Sequence, residues 1–388
     1  MLIDSTLREG EQLYRAYYDA RAKRRILDLL GRLGVEEIEA GWAGKEDLAQ
    51  TLADARQAAP NAAISVWVPC REPDPAAFPL ALVHRINMGV PVSDAHREKR
   101  LGIGREELLS RVAAMVAAWR KAGAGYVSVG LEDISRADLS FALEAGRTAL
   151  RAGASRVRIS DTAGLLCPSE MSRLARLFKS ALACELAVHC HNDFGMAAAN
   201  ALSALDAGAD YADVSALGSG ERAGIAPLEQ AAAYLTLRRG RKEYDLMAVK
   251  ALCALVSDRA DIAVSRIAPV AGADIFACES GLHVHAMARD PALFEPYPPE
   301  AVEASRIAAV GKKSGKAAVR LVLRDLGVEV DEDSLPGLTA DIRRLSAQLE
   351  RPLTCAETLT LAGKALDERE RDGGKISPGP ARPLRRSA

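Results

Sequence analysis

Leu186-Ala187-Val188-His189-Cys190-His191-Asn192-Asp193-Phe194-Gly195 reads as a β-strand that runs out into a polar turn. Side chains alternate faces along a strand, so His189 and His191 point one way and Cys190 the other. Two imidazoles one residue apart on one face can converge on a single cation. Neutral imidazole suits Zn, Fe, Co or Ni, and oxygen-rich surroundings admit Mg or Mn. The alternative is a hydrogen-bonded pair of rings at a strand end, and a third ligand elsewhere in the chain decides between the two. Cys190, on the opposite face, is expected to pack between the strand and a covering helix.

Working outward, short apolar runs alternate with longer amphipathic ones through the first two-thirds of the chain. Strands are expected at Leu2–Leu7, Glu37–Trp42, Ala63–Pro69, Arg85–Val92, Tyr126–Leu131, Arg156–Ser160, Leu186–His191 and Tyr211–Ala216. Helices are expected at Ala20–Leu33, Lys45–Ala59, Arg105–Ala122, Ala137–Ala152, Pro168–Leu182, Met196–Ala207 and Pro227–Leu237, with a short Pro-broken segment after the third strand. Leu33-Gly34, Ala122-Gly123, Ala152-Gly153 and Ala207-Gly208 carry the glycine stop signal of helix ends. Eight strand–helix units in about 240 residues indicate a (β/α)8 TIM barrel. A doubly wound open sheet is the other α/β solution, but no Gly-rich phosphate loop follows any strand.

A barrel places its chemistry where the strands end, with several strands contributing. The first strand runs into Asp4-Ser-Thr-Leu-Arg-Glu-Gly-Glu-Gln12, a dense polar cluster beside a buried run. Glu9 is the natural third ligand, because a carboxylate joined to two imidazoles leaves open positions for a substrate. Arg8 offers a planar fork to a carboxylate or a developing oxyanion. The fifth strand closes with Gly130-Leu-Glu132-Asp133, the sixth with Ser160-Asp-Thr162-Ala-Gly164, and Gly218-Ser-Gly-Glu-Arg-Ala-Gly224 follows the eighth. Glu221 and Arg222 in that loop read as a structural ion pair.

Composition narrows the function classes. A formal charge of −1 over 388 residues offers no basic excess for nucleic acid or a membrane surface. Seven Cys without CxxC pairs fit free thiols rather than a disulfide framework. The charged start and the lack of a long apolar run lead to the expectation of a cytoplasmic protein without membrane or nucleic-acid partners.

Asp4-Ser-Thr-Leu-Arg-Glu-Gly-Glu-Gln12, His189-Cys-His-Asn-Asp-Phe-Gly195 and Gly220-Glu-Arg-Ala-Gly224 together resemble the acyl-CoA-condensing TIM-barrel metalloenzymes. That family includes homocitrate, isopropylmalate and citramalate synthases and is related to hydroxymethylglutaryl-CoA lyase. The resemblance covers about residues 1–315. It implies a divalent cation (Mg, Mn, Zn or Co) on Glu9, His189 and His191. It also implies a Claisen-type condensation of acetyl-CoA with a 2-keto acid, followed by thioester hydrolysis. Arg8 would neutralise the forming alkoxide, Gln12 and Thr162 would hold the keto acid, and Glu132 or His283 would deprotonate the acetyl methyl. His283 sits in Ser280-Gly-Leu-His-Val-His285, which matches the family's GIH element in a small helical domain. In relatives this element reaches the partner subunit's barrel, which implies a homodimer.

Gly220-Glu-Arg-Ala-Gly-Ile225 and Val127-Ser-Val-Gly-Leu-Glu-Asp-Ile-Ser-Arg-Ala-Asp138 look like homocitrate synthases of the nitrogen-fixation type. The lysine-pathway type carries Arg where Ser128 stands. The expected acceptor is therefore 2-oxoglutarate, giving (R)-homocitrate and CoA, with nitrogenase cofactor supply favoured over lysine synthesis. Ser93-Asp-Ala-His96 is similar to isopropylmalate synthases and keeps another 2-keto acid as the alternative. A lyase or aldolase on the same scaffold, or a barrel without activity, are further readings. Phe294 favours the last, because the family usually has Tyr there; Tyr297 is the nearby substitute. Gly311-Lys-Lys-Ser-Gly315 departs from the usual GKHSG. The expected domains are a catalytic barrel over 1–240, helical subdomains without strands over 241–370 that contribute His283, and a disordered tail over 371–388.

Overall fold

The apolar runs close on one another as eight parallel strands. They are β1 (Leu2–Asp4), β2 (Glu37–Trp42), β3 (Ala63–Val68), β4 (Arg85–Pro91), β5 (Val127–Glu132), β6 (Arg156–Asp161), β7 (Glu185–Cys190) and β8 (Tyr211–Val214). They pair in sequence order, and β8 returns to β1 through Leu2↔Ala212 and Asp4↔Val214. The structure is a computed structural model and describes residues 1–71, 75, 78–279, 286–287 and 289–371.

Helices α1 (Ala20–Leu33), α2 (Leu48–Ala58), α3 (Asp94–His96), α4 (Arg105–Lys121), α5 (Leu139–Arg151), α6 (Pro168–Ala181), α7 (Ala197–Asp206) and α8 (Leu228–Ala233) fall between or after the strands. The α1 helix shows the local logic. The Asp19 carboxylate accepts from the Ala22 N–H at its start, and Gly34 closes it in a left-handed conformation at φ 86°. Its Ile26, Leu27, Leu30 and Leu33 are buried at helical spacing.

The outward faces of the strands are apolar, but much of the barrel interior is ionic. Glu37 and Glu39 of β2, Asn87 of β4, Arg156 and Arg158 of β6 and Asp213 of β8 are all buried. Arg156 donates to both Glu37 oxygens at 2.7 and 3.0 Å, to Asn87 at 2.9 Å and to the Ser128 hydroxyl at 3.0 Å. Arg85 adds a third guanidinium bond to Glu37 at 2.6 Å. Burial alone would raise the Glu37 carboxyl, but Arg156 and Arg85 outweigh it and hold the group at about 2. Ser128 is thus a member of this deep layer.

Several expected boundaries move, each for a visible reason. β1 stops at Asp4 rather than Leu7, because the Ser5 carbonyl accepts from the Arg8, Glu9 and Gly10 N–H groups and turns the chain. β8 ends at Val214 rather than Ala216, since the next residues form a tight turn with Leu217 left-handed at φ 56°. The eighth helix is α-helical only to Ala233 and then widens to a π turn over Tyr234–Arg238. Between β3 and β4 the described residues hold one 3-10 turn, Leu80–Leu82, in place of a full helix.

The described residues divide into two compact units, Met1–Ser265 with Pro269–Ala271, and Arg266–Ala268 with the chain from Gly272 onward. The division falls later than residue 240 because α9 (Val249–Ala260) packs against α1 as part of the barrel unit. The second unit contains a strand pair, which the expectation of helices alone missed. Ala277–Cys278 and Ile307–Ala308 pair in parallel, too short for any alternation to show in the sequence. Its helices α10 (Lys316–Asp325), α11 (Leu335–Leu349) and α12 (Cys355–Arg371) bury Val319, Leu323, Leu335, Ile342 and Leu353 in one cluster. The tail expected over 371–388 lies outside the described residues beyond Arg371. No helix among the described residues is long and apolar enough to cross a membrane.

Candidate functional site

β7 ends where the barrel opens, and its register sets Ser160 beside His189 and Asp161 beside Cys190. Alternation does what the sequence requires of it. His189 and His191 face inward, buried, with their Nε2 atoms 3.3 Å apart, and Cys190 is wholly buried on the other face. Burial pushes the Cys190 thiol well up from its ordinary value. His191 is tied to the loop after β8 by an antiparallel bridge to Ile225.

The turn made by the Ser5 carbonyl delivers Glu9 to the same place. One ligand atom each from Glu9, His189 and His191 lie within 4.8 Å of one another. Glu9 Oε2 accepts from Arg8, while its Oε1 is buried and has no protein partner. A Cβ on Gly220 would stand 3.2 Å from Glu9 Cγ, so glycine there lets the loop close over the carboxylate.

Protonation is set by the neighbours. The Asp213 carboxylate accepts from His189 Nδ1 at 2.8 Å, so His189 presents its Nε2 lone pair toward His191. Burial, and then His189, push the His191 imidazole down to about 3, which keeps it neutral at ordinary pH. Burial opposes ionisation of Glu9, but the Arg8 guanidinium outweighs it and lowers that carboxyl. Two imidazole nitrogens and a carboxylate oxygen without a protein partner form a donor set that fits a divalent cation.

A cavity of about 190 Å³ opens beside the trio and is lined by Arg8, Gln12, Glu132, Arg158, Thr162 and Trp67 among others. Arg8 is clamped, with its Nε donating to Glu39 at 2.5 Å and its Nη1 to Glu9. Burial opposes its charge, but Glu39 and Glu9 raise its pKa further. Glu132 stands at the end of β5 and accepts from Arg100 at 2.7 Å. Gly89 leaves it that room, since a Cβ there would meet Glu132 Oε1 at 2.1 Å and Trp67 Cζ2 at 2.8 Å. The Thr162 hydroxyl accepts the Asp133 N–H at 2.9 Å. Gln12 is exposed on the 3-10 turn Gly10–Gln12.

The structure therefore brings Arg8, Glu9, Gln12, Glu132, Thr162, His189 and His191 to one barrel mouth. His283 and His285 lie outside the described residues. His96 is not among the cavity-lining residues and instead lies 3.2 Å from Arg136. Arg222 pairs with Glu221 at 2.7 Å and with Asp193 at 2.9 Å, the structural role expected for that loop. Tyr297 packs edge-on against Phe276 within the second unit, at 5.5 Å between ring centres. Sequence reading missed Glu39, Arg158 and Asp213; for Glu39 and Arg158 the available signal was their spacing of two from Glu37 and Arg156 within otherwise apolar strands.

An HMGL-like family model matches residues 1–256, and a homocitrate synthase post-HMGL domain-like model matches residues 270–350. The chain is 35% identical over 371 residues to the 2-phosphonomethylmalate synthase of Streptomyces rubellomurinus, covering 94% of this chain and 98% of that one. The chain belongs to the acyl-CoA-condensing synthase family. This synthase is also 37% identical to the homocitrate synthase of Frankia alni, over 84% of its own length and 93% of the relative's. Its identity to 2-isopropylmalate synthase 2 of Caldanaerobacter subterraneus is 33%, over 93% and 94% of the two chains. The synthase is an acyl-CoA-condensing transferase, with acetyl-CoA and a 2-keto acid as the small molecules consistent with its family.

Proposed function

We propose that the protein condenses acetyl-CoA with 2-oxoglutarate to give (R)-homocitrate and CoA, with a divalent cation held by Glu9, His189 and His191. The observation that carries the reading is the convergence of those three ligand atoms beside a clamped Arg8 at the mouth of a barrel. The choice of acceptor is supported by the Gly220–Ile225 and Val127–Asp138 segments and by the Frankia alni homocitrate synthase. The alternative, an isopropylmalate-type acceptor, is supported by Ser93–His96 in the sequence and by 2-isopropylmalate synthase 2 of Caldanaerobacter subterraneus, while His96 itself lies outside the cavity lining.

A bound cation supplies Lewis acidity to the keto carbonyl that is attacked. The protein does the rest. Thr162 and Gln12 orient the keto acid, Arg8 stabilises the alkoxide oxygen as charge develops on it, and Glu132 takes a proton from the acetyl methyl. The methyl carbon then bonds to the keto carbon, the alkoxide is protonated, and water cleaves the thioester to release CoA. Homodimer formation and a role in nitrogenase cofactor supply belong to the same proposal.

Thiol release from acetyl-CoA with a panel of 2-keto acids is the test. Release with 2-oxoglutarate is expected. Release only with pyruvate or 2-oxoisovalerate would overturn the acceptor, and no release with any acid from the metal-loaded protein would overturn the transferase step.

A further inference from the structure

Two arginines stand on the inner face of β6, two residues apart, and only one of them is satisfied. Arg156 has all of its nitrogens engaged, on Glu37, Asn87 and Ser128. Arg158 is just as enclosed, with its side chain 5% exposed, but the protein engages only Nη1, on Glu39 at 3.3 Å and Asp213 at 3.0 Å. Its Nε and Nη2 are buried without a partner. Those two nitrogens form one edge of the guanidinium, the edge that grips a carboxylate or phosphonate with two parallel bonds. Buried N–H groups of a charged side chain are costly to leave unmatched.

Arg158 lines the same cavity as the proposed metal ligands. Its neighbours in register are Gly130 on β5 and Ala187 on β7, so no long side chain stands beside it. A Cβ on Gly130 would already stand 3.9 Å from Arg158 Cδ. Along β6, Arg158 lies two residues deeper than Ser160, the residue level with His189, a step of about 6–7 Å. The cavity that Arg158 and the trio both line is where the far end of an acid held by its keto end would have to lie. The Asp213 carboxylate joins the two regions, since the same oxygen pairs with the Arg158 guanidinium and accepts from His189.

We propose that Arg158 selects the acceptor by gripping the distal anionic group, carboxylate or phosphonate, of a dianionic 2-oxo acid. The inference rests on the acyltransferase reading and adds the residue that reads the substrate's far end. An acid with an apolar end would leave the Nε–Nη2 edge unmatched and be rejected for that reason.

The test uses the full chain loaded with Mn²⁺ or Mg²⁺, with CoA release from acetyl-CoA as the assay. The acids compared are 2-oxoglutarate and phosphonopyruvate against 2-oxopentanoate and 2-oxobutyrate, which lack the second anion. Wild-type kcat/KM is expected to favour a dianionic acid by about 100-fold or more. In Arg158→Lys and Arg158→Gln that ratio is expected to fall by about 10- to 150-fold, the worth of hydrogen bonds to a charged group. Calorimetric Kd for 2-oxoglutarate without acetyl-CoA should weaken in parallel. Whether 2-oxoglutarate or phosphonopyruvate is preferred identifies the anion, and either supports Arg158. Preference of the wild type for an apolar-ended acid overturns the proposal even where neither variant folds, and so does an unchanged ratio in both variants. Absence of turnover with every acid would instead refute the acyltransferase reading, and the calorimetric comparison would still decide Arg158.

Discussion

Replacing Asp213 by Asn should weaken cation binding without removing a ligand. Asp213 Oδ2 accepts from His189 Nδ1 at 2.8 Å and forms an ion pair with Arg158 Nη1 at 3.0 Å. An amide keeps an oxygen acceptor but not the charge. With its oxygen in the Oδ2 position it preserves both contacts in weakened form, since the Oδ1 position that then receives the NH2 has no protein partner. Flipped, its NH2 faces His189 Nδ1 and drives the imidazole proton to Nε2, where the lone pair is needed. Loss of such a carboxylate behind a ligating histidine costs about 10- to 100-fold in metal affinity, or about 1.4–2.7 kcal/mol. The assay is Mn²⁺ or Zn²⁺ binding in competition with a fluorescent chelator, with a urea melt of the metal-free variant to separate lost folding from lost affinity. A Kd within about twofold of wild type, in a folded variant, would refute the claim that the Asp213 charge strengthens His189 as a ligand.

Two further outcomes follow from the same barrel. Gly89→Ala places a methyl 2.1 Å from Glu132 Oε1 and 2.8 Å from Trp67, so it should destabilise by about 1–3 kcal/mol in denaturant melts and slow CoA release; wild-type stability and rate would show that Glu132 needs no such space. Glu37 is held at about 2 against an ordinary 4.5, and a lowered carboxylate stabilises above its unfolded value and loses that contribution as pH falls toward the folded one. Between pH 4.5 and 2 the wild type should therefore lose about 3 kcal/mol that Glu37→Gln does not lose, and parallel stability slopes in the two proteins would contradict the Arg156 pairing.

Much of the barrel was legible because its signals are local. The α1 helix and β2 fall on the expected residues, since Asp19 and Gly34 mark the helix ends and burial keeps the outward strand faces apolar. The convergence of Glu9, His189 and His191 was legible for a similar reason, as His189 and His191 share a strand face and Glu9 follows a strand end. The ionic interior was harder. Glu37, Glu39, Arg156 and Arg158 look like surface charges in the sequence, and only closure of the sheet turns them inward as mutual partners. Asp213 gave no local sign, because its partners lie 24 and 55 positions earlier in the chain. The early end of β1 was hidden because it depends on one carbonyl, that of Ser5, accepting three N–H groups.

Anomalous diffraction from crystals grown with Mn²⁺ or Co²⁺ would settle the central matter. One strong peak is expected about 2.0–2.3 Å from Glu9 Oε1 and both Nε2 atoms, and absent from His191→Ala crystals. A peak elsewhere, or one that persists undiminished in that variant, would mean that the two imidazoles and the carboxylate meet at the barrel mouth for some purpose other than holding a cation.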